Sequence, residues 1–378
     1  KKTKMKNTLP EDLIIEILLR LPVKSLLRLK CVCNSWFSLI SNPEFAKSHF
    51  DIAAAPTHRL LQRYHGFYKA NSIEIEAQLL NSDSVQVDLN VPHPHIHASR
   101  LNILGSCRGF ILNYYRDDLF ICNPSTGLHR RIISSISISR NYLCGIGYDS
   151  STDDYIVVIG RLGKEFHYFS LRNNSWSSSE FTLPYRLKRR SGFRKEGLFL
   201  NGALHWLVES AFDDLRKIIA FDVMERRYSE VPLPQDLAAV LQSKIYHLKV
   251  VGGCLCLYFM GYRSEMWAMK EYKVQSSWTK SYVLSTKNYP LSYYFFPVCF
   301  TKNGEILGLS SDNNLVRLDE KGELHSHGDE KRRFNYIRES LMYRESLLSL
   351  PEGDYEEPSV VPPQLRRKRI SEAFAALL

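Results

Sequence analysis

The residues best suited to chemistry are few, and their spacing works against most of the chemistry they suggest. His93, His95 and His97 alternate in the run PHPHIH, which would set three imidazoles on one side of an extended chain and could hold a metal ion. Pro92 and Pro94 interrupt that run and no nearby carboxylate or cysteine completes a ligand set, so a solvated loop is expected there. Gly160, Gly163 and Lys164 resemble a phosphate loop, but Glu165 follows the lysine where Ser or Thr is needed. Gly145-Ile146-Gly147 lacks the third glycine and the helix of a dinucleotide site. No Gly-x-Ser-x-Gly elbow and no His-Glu-x-x-His helix occurs. His205 and His247 lie in apolar runs and are expected as core groups rather than bases. The eight cysteines show no Cys-x-x-Cys spacing, so they are expected as buried free thiols, with Cys31 and Cys33 in a helix. The prediction is a chain with no catalytic residues, no metal and no cofactor.

Residues 9–40 read as a docking module. Pro10, Glu11 and Asp12 favour a helix start, and Thr8 with Glu11 has capping-box spacing. Leu13, Ile14, Ile17, Leu18 and Leu21 form one apolar stripe, which Pro22 ends. A second helix carries Val23, Leu26, Leu27 and Leu29, and a third carries Val32, Cys33, Trp36, Phe37, Leu39 and Ile40 before Asn42-Pro43. So short a module cannot bury that many large apolar groups, so some must face a partner.

The order of residues here resembles an F-box: Leu9-Pro10-Glu11-Asp12-Leu13, then Ile17 through Leu26, then Cys31-Val32-Cys33-Asn34-Ser35-Trp36. The resemblance implies binding to the SKP-type adaptor of an SCF ubiquitin ligase and, through it, to cullin and a RING subunit. It places Leu9, Pro10, Leu13, Ile17, Leu18, Pro22, Val23, Leu26, Val32, Cys33, Trp36 and Ile40 at positions that pack within the F-box or on the adaptor.

At 378 residues, the chain has room for a second, larger unit. The apolar period changes near residues 51–58 from helical to alternating, giving an expected division into residues 1–50, 51–350 and a charged, Pro-containing tail from 351 to 378. Strand, polar turn and a large apolar anchor recur at Leu128, Trp176, Tyr228, Trp278 and Leu324, spaced 48, 52, 50 and 46 residues apart. Tight-turn signals precede the front strands at Arg108-Gly109, Asp153-Asp154, Asn201-Gly202, Gly252-Gly253 and Asn303-Gly304. A weaker sixth unit occupies residues 73–90, and residues 334–350 offer a late strand to close a ring. The fold class predicted is α+β multidomain: a small three-helix module followed by an all-β, kelch-like β-propeller of about six blades.

These repeats also resemble the F-box-associated, kelch-like C-terminal domain of plant F-box proteins, including those grouped around the S-locus. The matching residues are Cys107-Arg108-Gly109, Asn123 through Gly127, Gly145-x-Gly147-Tyr148-Asp149, Asn201-Gly202-x-x-His205-Trp206 and Tyr343-x-Glu345-Ser346-Leu347. The two resemblances together imply a non-catalytic substrate-recognition subunit. The alternatives are an adaptor-bound scaffold, a propeller recognising a glycan or small molecule, and an enzyme built at the ring centre.

In such a ring the first and third turns of each blade share one face, and the middle turns and interblade segments share the other. The second set varies most, so a target protein is expected there, with Arg186, Lys188, Arg189, Arg190 and Arg194 as an acid-binding patch. Tyr289, Tyr293 and Tyr294 are the candidate aromatic anchors, while Phe295 and Phe296 are expected to begin a buried strand. The net charge of +10 favours an acidic partner or weak non-specific attraction to nucleic acid, but the basic residues are spread along the chain as on an ordinary solvated surface, which is the expectation. There is no nucleic-acid motif and no apolar run long enough for a membrane span. The N-terminal segment lacks the apolar stretch of a secretory signal, which points to the cytoplasm or nucleus, and Arg366-Arg367-Lys368-Arg369 has the composition of a nuclear-import signal.

Overall fold

The computed structural model describes residues 10–52, 58–64, 70–75, 87–88, 102–115, 118–133, 142–179, 182–186, 196–213, 215–237, 246–259, 263–285, 295–301, 304–310, 315–319, 324–327 and 337–351. Helices α1 (Glu11–Leu19), α2 (Val23–Leu29) and α3 (Asn34–Ser41) follow the three apolar stripes, except that α3 begins after Val32 and Cys33. Pro10 is itself the residue before the first helical turn, so Glu11 opens the helix rather than standing three places into it, and Thr8 lies outside the described residues. A fourth helix, α4 (Pro43–Ile52), extends the module. Asn42 starts it by accepting from the backbone N–H of Glu44 at 2.7 Å, and Pro43 takes the first position, where a missing N–H is harmless.

The rest is a ring of six sheets. Five blades are sequential: strands begin at Asn102, Tyr142, Leu198, Tyr246 and Phe295 and each blade runs outward through antiparallel neighbours. Three of the inner hairpins turn in two residues, with Cys107 opposite Phe110, Leu200 opposite Ala203 and Val251 opposite Cys254. Their turn residues, Arg108-Gly109, Asn201-Gly202 and Gly252-Gly253, all have positive φ, the geometry that matches strand twist.

The first blade joins the chain ends. Strand Ile337–Arg344 pairs with His58–Tyr64, which is followed outward by Ala70–Glu74 and Val87–Asp88. The Tyr343-x-Glu345-Ser346-Leu347 motif fastens this closure. Tyr343 hydroxyl and Ser72 Oγ are 2.8 Å apart, and buried Arg59 holds Glu345 at 3.2 Å while donating to Ser72 at 2.7 Å. Farther on, buried Asn123 donates to the carbonyls of Ser346 and Leu348, both at 3.0 Å.

The helices sit directly on the ring. Leu18, Val23, Leu26, Ile40, Phe45 and Phe50 share one core cluster with Leu104, Cys107 and Phe110 of the second blade, Tyr155 of the third, and Leu347, Leu348 and Leu350. Lys47 meets Asp153 at 2.6 Å, and the Arg108 guanidinium lies 4.6 Å from the Phe50 ring centre and 4.2 Å from that of Tyr148. Arg108 and Asp153 belong to the first turns of the second and third blades, so the helical module occupies the first-turn face.

Candidate partner-binding surfaces

Packing sorts the apolar residues of the helical module into two sets. Leu18, Val23, Leu26 and Ile40 are buried, and Trp36 is half-buried. Leu13, Ile17 and Val32 remain 47%, 49% and 58% exposed, and Pro10, Pro22 and Cys33 are also exposed. Leu13 and Ile17 lie one turn apart on α1, so their side chains share a face. Phe37, 55% exposed and one turn beyond Cys33, belongs with this outward set. The third stripe placed it in the sequence, but its outward direction depends on how α3 packs. Leu9 lies outside the described residues.

Contrary to expectation, Cys31, Val32 and Cys33 lie in the turn between α2 and α3 rather than in a helix, and all three are exposed. Cys107, Cys144 and Cys256 are the buried thiols, and burial raises the pKa of Cys256 to about 12. His205 is fully buried, with Nε2 2.7 Å from the Tyr272 hydroxyl, and burial lowers its pKa to about 4. It is a neutral core group, as its apolar surroundings suggested. The Gly160–Glu165 stretch is the turn between strands Asp154–Arg161 and Phe166–Ser170, with no helix to receive a phosphate. Gly145 and Gly147 lie in the inner strand of the third blade, where added methyl groups would meet Leu204 and Val223. Among the described residues no cluster of three His, Cys, Asp or Glu could hold a metal, and no helix is long and apolar enough to cross a membrane. His93, His95 and His97 lie outside the described residues.

On the second-turn face, Tyr185–Arg186 forms a short strand against Ser210 and Glu209 of the fourth blade. This carries the start of the basic segment beside the hairpin loop that displays Phe212, 85% exposed. Phe212 was not singled out in the sequence; a lone aromatic beside Asp213-Asp214 reads as an ordinary loop residue. Lys188, Arg189, Arg190, Arg194, Tyr289, Tyr293, Tyr294 and the 366–369 basic run lie outside the described residues. Phe295 is buried and Phe296 half-buried, as a strand start requires.

A cavity of about 910 Å³ lies within the ring. Its walls come from the first, second, fourth, fifth and sixth blades, with Phe50 of α4 at one end. The inner strand of the third blade is shut out because the backbone N–H of Gly197 donates to Cys144 at 2.6 Å and to Leu104 at 3.2 Å. A methyl group on Gly197 would come within 3.0 Å of the Cys144 carbonyl oxygen, so only glycine allows the three strands to meet this closely.

A short helical module seated on a six-bladed ring defines a class of two-part helix-plus-propeller proteins. Comparison with known proteins agrees. Residues 7–48 match the F-box domain model and residues 63–348 the F-box associated beta propeller domain model. F-box protein CPR1 of Arabidopsis thaliana is 31% identical over 349 residues, covering 82% of each chain. An F-box/kelch-repeat protein of the same plant is 30% identical over 308 residues, covering 72% of this chain and 79% of that one. The chain belongs to the family of F-box proteins that carry an F-box associated β-propeller. Members of this family are typically non-catalytic substrate receptors, and the two domains together support a substrate-adaptor role in an SCF ligase.

Proposed function

We propose that this chain is the substrate-recognition subunit of an SCF-type ubiquitin ligase, binding an SKP-type adaptor through α1 and α3 and a target protein through the propeller. The exposure of Leu13, Ile17, Val32 and Phe37, on a module that buries Leu18, Leu26 and Ile40, carries the adaptor half of the reading. Each such side chain covered by a partner contributes roughly 1.5–3 kcal/mol before association costs. The target half rests on position. The helices cover part of the first-turn face, so the target is assigned to the opposite face, where Phe212 is exposed and the strand ending at Arg186 lies; Lys188, Arg189, Arg190 and Arg194 follow it in sequence and would meet an acidic target. Tyr289, Tyr293 and Tyr294 would supply aromatic anchors there. The chain itself performs no chemistry in this scheme: it brings target lysines near a charged conjugating enzyme on the partner subunits, in the cytoplasm or nucleus, so that target is ubiquitinated and degraded.

The test is capture of purified SKP-type adaptor and cullin by the wild-type chain and by the Leu13→Asp, Ile17→Asp double variant, followed by ubiquitin transfer to proteins retained from extract. Loss of adaptor with an unchanged melting temperature is expected. Full adaptor capture by the double variant would overturn the docking surface, and capture without ubiquitin transfer to any retained protein would overturn the ligase role.

A further inference from the structure

The cavity inside the ring is not explained by adaptor or target docking, and its electrostatics are unbalanced. Arg108, Arg317 and Arg344 line it, and among the described lining residues the one carboxylate is Glu305, which Arg317 engages at 3.4 Å. Two of these cations crowd together at the end closed by α4. The Arg108 guanidinium lies 4.6 Å and that of Arg344 3.8 Å from the centre of the same Phe50 ring. Arg344 donates to the Phe50 carbonyl. Among the described residues, the carboxylate paired with Arg108 is that of Asp51, 3.7 Å away and beyond hydrogen-bond length, with its side chain 64% exposed. Arg108 Nε is buried and has no hydrogen-bond partner among the described residues. Burial, together with repulsion from Arg108, lowers the pKa of Arg344. Two like charges held half out of water beside an empty volume are costly unless an anion joins them. The remaining walls are largely apolar, including Leu198, Phe199, Val250 and Val298. At about 910 Å³ the space far exceeds a bare anion and has the size and wall chemistry of a small-molecule site.

We propose that this cavity binds a small amphipathic organic acid, its carboxylate held by Arg108 and Arg344 beneath Phe50 and its apolar body lying along Phe199, Val250 and Val298. The site is independent of the ligase reading, since it uses neither the exposed α1 and α3 surface nor the second-turn face. Phe50 comes from the helical module and both arginines from the ring, so the bound acid would bridge the two parts.

Octanoate, 1-octanol and inorganic phosphate, titrated separately into the full chain by calorimetry, test this. Saturable binding of one octanoate per chain is expected, with octanol and phosphate each about tenfold weaker or more, because each lacks one half of the recognition. Arg344→Gln should weaken octanoate about tenfold. Should that variant fail to fold, Val250→Trp, which intrudes on the apolar wall where the body of the acid lies and leaves both arginines in place, decides the matter by the same loss. Octanol binding as well as octanoate would overturn the role of the arginines, phosphate binding as well would reduce the site to a bare anion contact, and undiminished octanoate binding to Val250→Trp would place the acid elsewhere. Absence of octanoate binding overturns the proposal altogether.

Discussion

Lys47 Nζ on α4 and Asp153 Oδ2 in the first turn of the third blade stand 2.6 Å apart, and this contact links the helical module to the ring. Asp153 also accepts from the Tyr148 hydroxyl at 2.6 Å and from Arg172 at 3.3 Å. Burial alone would raise the Asp153 pKa, but the hydrogen bonds from Lys47 and Tyr148 outweigh it and the pKa is lowered. The side chains of Lys47 and Asp153 are 38% and 39% exposed, so solvent screening keeps the pair modest, about 0.5–1 kcal/mol. A carboxylate with a lowered folded pKa contributes stability above its unfolded pKa of about 3.9, and loses it as the pH falls through the folded value. Lys47, with its pKa raised chiefly by the hydrogen bond to Asp153, contributes below about pH 10.4 and loses that as pH rises further. Asp153→Asn should therefore lower the melting temperature at pH 7, and the gap to wild type should shrink at pH 3. A gap of equal size at both values would show that the charge is not what holds the joint.

The split between inward and outward leucines gives a second prediction. Leu26 is fully buried beneath the ring contact, so Leu26→Ala should cost about 2–5 kcal/mol in denaturant unfolding. Leu13→Ala, at an exposed position, should change stability by no more than about 0.5 kcal/mol while weakening adaptor binding. Equal effects of the two on unfolding would mean that Leu13 is buried in solution.

These examples mark where sequence reading succeeds and where it stops. The six blades were legible because turns such as Asn201-Gly202 and strands such as Asp154–Arg161 obey local rules, and local rules leave a period in the sequence. The direction in which Phe37 points, the start of α4 after Asn42-Pro43, and the seating of Lys47 on Asp153 depend on packing between segments far apart in the chain. The cavity is the extreme case. Arg108 and Arg344 are separated by most of the ring in sequence, and Gly197, in the stretch Lys195-Glu196-Gly197, looks like any loop glycine until its neighbours are known.

Gly197 yields the third prediction. Its backbone joins the inner strands of the second and third blades, and a methyl group there would meet the Trp206 side chain at 2.9 Å and the Cys144 carbonyl oxygen at 3.0 Å. Backbone cannot yield as a side-chain tip can, so Gly197→Ala should cost about 1–3 kcal/mol. The same substitution at Gly202, whose added methyl group meets nothing within 4 Å, should cost only the strain of its positive φ. Comparing the two by urea unfolding separates crowding from backbone strain. If Gly197→Ala were the milder change, the inner strands would not be in contact as described.

Asn123 tests the ring closure itself. Its side-chain nitrogen, fully buried, donates to the carbonyls of both Ser346 and Leu348, and its oxygen accepts from the Ser125 backbone N–H at 2.9 Å. One amide thus fixes a third-turn corner of the second blade and the stretch that follows the closing strand. Asn123→Ala would leave two buried carbonyls without donors, each costing part of about 1–3 kcal/mol. Asn123→Asp keeps the shape but turns the donor into an acceptor facing two carbonyl oxygens, so it should be more harmful than alanine at pH 7. Because Leu347, Leu348 and Leu350 pack in the same core cluster as Leu18 and Leu26, the damage should reach the helical module. Hydrogen exchange should then quicken at residues 346–350 and in α1 and α2, with the fifth blade unchanged. Faster exchange confined to the Asn123 turn would show instead that closure rests on the Arg59, Ser72 and Tyr343 contacts alone.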